Sequence, residues 1–220
     1  MSRERTLLLR ITTGLTGCAC MLTAAGGNAG TVISEVLYDA AGADSGSVFV
    51  ELYGAPGTVL DGLLLEGVNG ADGSVYRTVP LVGNIPSGGV FVIADDAGGG
   101  STLVADADLV ADVDFQNGPD SIVLRDGDVV LDAVGYGDFT SAVFAGEGEA
   151  VTTAPAGSSI ARLDPRMDSG NNLADFMVLD VPTPGAVAVS AVPVPAPLGL
   201  LLSGLAGLGV VARRKENVCT

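Results

Sequence analysis

The chain has 220 residues, with 26 Asp and Glu against ten Lys and Arg, three Cys, no His and no Trp. Without His there is no Ser–His or Cys–His pair and no imidazole ligand for zinc, and a net charge of −16 opposes binding to phosphate backbones. The charge is also segregated: six of the ten bases sit near the two ends, so residues 30–187 carry four arginines against 24 carboxylates, a net of −20.

From the N-terminus, Met1 to Arg10 carries Arg3, Arg5 and Arg10, and Ile11 to Ala25 is moderately apolar. Gly27-Asn28-Ala29 then offers small residues for cleavage before Gly30, so residues 1–29 read as a secretory signal peptide. A second reading competes: Leu15-Thr16-Gly17-Cys18 has the form of a lipobox, which would make Cys18 a lipid-bearing N-terminus. Either way the chain is expected to be exported. Cys18 and Cys20 lie in this segment and Cys219 close to the other end, so the body between contains no disulfide and no thiol nucleophile. About 150 residues remain, enough for one hydrophobic core.

The body reads as strands. Val32 to Tyr38 and Val48 to Tyr53 come first; the second alternates Val48, Val50 and Leu52 against Phe49, Glu51 and Tyr53, the period of a half-buried strand. Val59 to Leu65 and Val75 to Val79 come next, and Val90-Phe91-Val92-Ile93-Ala94 is a short apolar run typical of a buried central strand. Leu109 to Phe115 precedes a hairpin in which Ser121 to Leu124 and Val129 to Asp132 flank Arg125-Asp126-Gly127-Asp128. The Asp-Gly pair there predicts a type I′ turn. Ala133 to Gly137 continues that second strand. Helical periodicity is weak and Gly is frequent, which disfavours long helices. Seven to nine short strands at near-regular spacing predict an all-β sandwich.

The Pro-, Val- and Ala-rich run from 181 onward is extended, and residues 187–197 are expected to link the body to an apolar C-terminal segment. That segment, Leu198 to Ala212, ends at Arg213-Arg214-Lys215. From Pro197 to Ala212 there are 16 residues, just short of the roughly 17–25 that cross a bilayer core. Residues 198–215 are therefore expected to form a single transmembrane helix, with Arg213, Arg214 and Lys215 as the basic stop on the cytoplasmic side. Val192-Pro193-Val194-Pro195-Ala196, the helix and the basic cluster together resemble the PEP-CTERM sorting signals of bacteria, in their VPLPA form. The motif has Val194 where that form has Leu and Pro197 where Gly is common. The resemblance implies that an exosortase-type membrane protease removes the helix and passes the protein to the outer surface or extracellular matrix.

The body is similar to the lamin-tail domain, an immunoglobulin-like β-sandwich of nuclear lamins and secreted bacterial proteins. The residues that carry this are Val32-Ile33-Ser34-Glu35-Val36, Phe49-Val50-Glu51-Leu52-Tyr53, Leu60 to Leu65 and Ile85 to Ala94. Asp120 to Leu124, Val130 to Tyr136, Gly157-Ser158-Ser159-Ile160-Ala161-Arg162 and Pro182-Thr183-Pro184-Gly185 complete the set, across residues 30–186. The Trp usual beside the second glutamate and the Asn usual after the tyrosine are missing. The resemblance implies a fold more than an activity.

Three groups of side chains are candidates for chemistry. Asp106, Asp108, Asp112 and Asp114 lie on or near one strand, where residues two apart share a face, and could hold Ca²⁺ through oxygen ligands. The same row equally serves as an acidic guard on a strand edge. Asp126, Asp128 and Asp132 form a similar group, in which the hairpin turn explains Asp126 and Asp128 as well as a ligand would. Glu35 and Glu51, on neighbouring strands, are the best pair for a carboxylate hydrolase, and Arg162 is expected to pair with an acid at the sheet end. The reading these features favour is a non-enzymatic protein with a structural or adhesive role at the cell envelope or in the matrix. It needs no cofactor, and its partner would be a matrix polysaccharide or another envelope protein. A calcium-dependent binding module and an envelope hydrolase are the alternatives.

Overall fold

A computed structural model describes residues 30–140 and 143–187. The predicted signal peptide (1–29, with Cys18), the sorting motif (192–196), the transmembrane helix (198–215) and its basic stop all lie outside these residues. Among the described residues no helix is long and apolar enough to cross a membrane.

Ten strands and one four-residue helix make up the described chain. In order they are β1 (Val32–Leu37), β2 (Phe49–Tyr53), β3 (Leu63–Asn69), β4 (Val75–Pro80), β5 (Val90–Asp95) and β6 (Leu109–Ala111). They continue as β7 (Asp120–Asp126), β8 (Val129–Tyr136), β9 (Ser159–Arg162), α1 (Asn172–Asp175) and β10 (Phe176–Leu179). A six-stranded sheet runs β10-β9-β1-β2-β5-β6 and a four-stranded sheet runs β4-β3-β7-β8. The chain is an all-β sandwich, as the strand spacing predicts. Its core lies between the sheets and takes Ile33 and Val36 from β1, Val50 and Leu52 from β2, and Leu65, Ile122, Leu124 and Val134 from the facing sheet. Tyr38 and Tyr136 stack inside it at 4.1 Å. The Tyr38 Oη accepts the Ala154 N–H at 2.7 Å and the Tyr136 O–H donates to the Gln116 carbonyl at 2.8 Å, so both phenols are partnered where water is excluded.

Three expectations are corrected. Strand β2 is not half-buried: Phe49 and Glu51, on its outer side, are each only 1% exposed. That outer face carries a second apolar cluster of Leu37, Val48, Phe49, Val90 and Val92, which Val104 and Val187 cover. The stretch from Leu109 forms only three residues of strand, and it pairs with β5 in parallel. A parallel return needs a crossover of about a dozen residues, which the 96–108 loop supplies. At the hairpin, Asp126 pairs with Val129, leaving Gly127-Asp128 as the two-residue turn. Gly127 has φ 56° while Asp128 does not share a positive φ, which is the pattern of type II′ rather than type I′.

Strand β1 holds an irregularity that positions the site. Its register with β2 slips between Ile33 and Glu35, so Ser34 is the extra residue of a β-bulge. Ile33 keeps its side chain in the core, while Ser34 and Glu35 both turn their polar atoms to the outer face.

Candidate functional site

On the outer face of the six-stranded sheet Glu35 and Glu51 are direct cross-strand partners, and each is 1% exposed. Residues 182–187 lie over them as a strap. Glu35 Oε1 accepts the Thr183 N–H at 2.8 Å and the Ser159 hydroxyl at 2.6 Å, and its Oε2 accepts the Thr183 hydroxyl at 2.7 Å. Glu51 Oε1 accepts the Ser34 hydroxyl at 2.7 Å and its Oε2 the Gly185 N–H at 2.9 Å. Two residues of strap thus cross from β1 to β2. Gly185 is needed where it stands: its φ is 81°, and a Cβ there would meet the Asp106 Cβ at 3.1 Å. Burial, offset in part by the Ser34 hydrogen bond and raised further by Glu35, pushes the Glu51 carboxyl up to about 7.

This is the pair a carboxylate hydrolase would use, and the two side chains do share a face. They are closed under the strap, however, with every oxygen engaged by the chain's own donors. A groove of about 410 Å³ lies elsewhere, between the edge strands β4 and β6, and is lined by residues such as Val79, Val82 and Leu109 and by neither glutamate.

A second polar cluster closes the other face of β1. Ile33 lies beyond the β1–β9 pairing, and side chains take its backbone groups. Asp132 Oδ2 accepts its N–H at 2.6 Å and Arg162 Nε donates to its carbonyl at 2.9 Å. Arg162 also donates to Asp132 Oδ1 at 2.6 Å and to Asp175 at 3.2 Å, lies 3.5 Å from Asp168, and packs over the Phe176 ring at 4.7 Å. The expected Arg162 ion pair therefore exists, and it ties β9 of one sheet to β8 of the other. Asp132, Glu147 and Asp168 bring oxygens within 4.8 Å of one another, a set that could ligate a metal ion. The Arg162 guanidinium already occupies the charge-neutralising position among them. Burial, reinforced by Asp132 and Asp168, pushes the Glu147 carboxyl up to about 7. Burial also pushes the Asp132 carboxyl up, against the pull of Arg162.

The four aspartates proposed for Ca²⁺ are given separate tasks. Asp106 is a loop residue with φ 55°, placed against Gly185. Asp108 accepts the Val92 N–H at 2.9 Å, and Asp112 pairs with Arg77. The Asp114 carboxyl is pushed up by burial and by Asp44 and Asp95. Among the described residues no three of the four converge. Two of them flank the edge strand β6, which fits the guarding role. Glu147 was not visible as a partner of Asp132 from the sequence, because the Gly- and Glu-rich stretch 145–150 carries no strand or turn pattern that places it.

Comparison of the chain with known protein families, with characterised proteins and with solved structures finds no match.

Proposed function

We propose that the chain is an exported, surface-sorted protein with a structural or adhesive role, whose body is an immunoglobulin-like sandwich of the lamin-tail kind. The observation that carries this is the meeting of four separate motifs at one place. Glu35 of the V-I-S-E-V run, Glu51 of the F-V-E-L-Y run, Ser159 of the G-S-S-I-A-R run and Thr183 and Gly185 of the P-T-P-G run form a single hydrogen-bonded cluster. Residues up to 150 positions apart in sequence thus have a common physical reason to occur together. That reason is fastening the closing segment to the sheet.

The same cluster supports a structural over a hydrolytic role, since the carboxylates hold the protein's own chain. Each of the four arginines of the described body is ion-paired, to Asp112, Glu66, Asp132 and Asp164 respectively, which leaves an outer surface dominated by acid. Such a surface keeps the protein soluble and draws cations or cationic partners. Delivery rests on the terminal segments: export through residues 1–29, then recognition of Val192 to Ala196 by an exosortase-type protease while residues 198–215 hold the chain in the inner membrane.

Intact-mass spectrometry of the protein from its native envelope fraction tests the delivery. A mass that begins near Gly30 and ends within Val192–Pro197 supports removal of both segments. A mass that retains residues 198–220 replaces sorting by a plain membrane anchor, and a lipid increment on Cys18 replaces the signal-peptide reading by lipoprotein export.

A further inference from the structure

We propose that Glu51, paired across the sheet with Glu35, makes the strap 182–187 a pH-dependent closure, seated while the Glu51 carboxyl is protonated and loosened once it ionises. The geometry places two carboxylates opposite each other on adjacent strands, both closed from water. Among the described residues neither takes part in an ion pair. Like charges directly opposite each other on adjacent strands repel, the more so where burial excludes bulk water, and a proton on Glu51 removes that repulsion.

The groups around the pair add no positive charge. From β1 comes the Ser34 hydroxyl, from β9 the Ser159 hydroxyl, and from the strap two N–H groups and the Thr183 hydroxyl. From the 96–108 loop come Asp108, which raises Glu51 further, and Asp106, which lies against Gly185. Tyr53 is two residues along the same face of β2, and Arg166, whose charge reaches Tyr53, is held by Asp164 at 2.8 Å. The strap is the removable part of this arrangement. It belongs to no strand, and its polar anchors to the sheet are those of Thr183 and Gly185 to the two glutamates. Lifting it hydrates both carboxylates without breaking a strand ladder, so the strain of ionisation is relieved by local opening before the sandwich unfolds.

The sign is set by the closed state holding its proton more tightly than the open one. With Glu51 at about 7 when covered and near its ordinary 4.5 when hydrated, opening becomes about tenfold more favourable between pH 6 and pH 8.5.

Hydrogen–deuterium exchange on the full chain in detergent, corrected for intrinsic exchange rates, tests this at pH 6 and pH 8.5. The expected result is about a tenfold loss of protection confined to 182–187, with the β5 amides unchanged, and disappearance of that loss in Glu51→Gln. Equal protection at both pH values overturns the proposal, as does a loss spread over the whole sandwich or one that persists in Glu51→Gln. If Glu51→Gln does not fold, the two pH values on the unaltered chain still decide it.

Discussion

Glu35 and Glu51 stand side by side across β1 and β2, and every hydrogen bond they accept comes from the chain itself. Because the Glu51 carboxyl is raised above its value in the unfolded chain, it contributes stability that is fully present below about 4.5. That contribution is lost as the pH rises through about 7. Glu51→Gln keeps an oxygen for the Gly185 N–H and can donate to Ser34. It is predicted to be more stable than the parent at pH 8, by about 1–3 kcal/mol, and to differ little at pH 5. Urea unfolding at the two pH values measures this; an equal effect at both would remove the titration as its cause.

Arg162→Met is predicted to cost about 3–5 kcal/mol, because it leaves the Asp132 carboxylate buried without its cation and the Ile33 carbonyl without its donor. The double variant Arg162→Met, Asp132→Asn is expected to recover part of that loss, since the stranded charge goes with the cation. Thermal unfolding of the two variants and the parent gives the comparison, and a double variant no more stable than Arg162→Met alone would contradict it.

Tyr38→Phe retains the stack on Tyr136 but removes the acceptor of the Ala154 N–H. A loss of about 1–2 kcal/mol is expected, the cost of one buried donor left without a partner. Tyr38→Leu, which also removes the stacked ring, should lose more. Equal losses would assign the whole effect to the hydroxyl.

Calcium is predicted to leave the folded body nearly unchanged. Asp106, Asp108, Asp112 and Asp114 are dispersed, and Arg162 sits among the three carboxylates that do converge. The melting temperature in millimolar Ca²⁺ and in excess chelator should therefore agree to within about 2 °C, less than a saturated site of ordinary affinity would shift it. A larger rise that is lost in Glu147→Gln would establish the Asp132–Glu147–Asp168 cluster as a cation site.

How far the sequence could be read depended on whether a residue's fate was decided locally. The β7–β8 hairpin shows in its Asp-Gly turn and β5 in its unbroken apolar run, and all three strands stand where the pattern puts them. The turn type was missed because register shifted the loop by one residue, placing Gly127 first. Strands β9 and β10 are four residues each, too short for a period of two to stand out, and exist because each pairs with the other and β9 with β1. The Pro- and Val-rich run from 181 has the composition of an open linker, yet its first part is held on the sheet by two glutamates more than 130 positions earlier. Composition cannot reveal such a partner. An acid for Arg162 was foreseeable from its charge, whereas Asp132 as that acid emerges only from how the two sheets close.

The strap runs across the strands instead of along them, and this decides how tension would enter the sandwich. A pull on the chain beyond Val187 strips the packing of Val187 first, then the Gly185 anchor and then the Thr183 anchor, one at a time, as in peeling tape. Only when residues 180–187 have run out, roughly 27 Å of extended chain, does the force reach the β10–β9 ladder. The domain thereby contains a short length of slack in series with its sheet, which yields at low force and reseats when the tension falls.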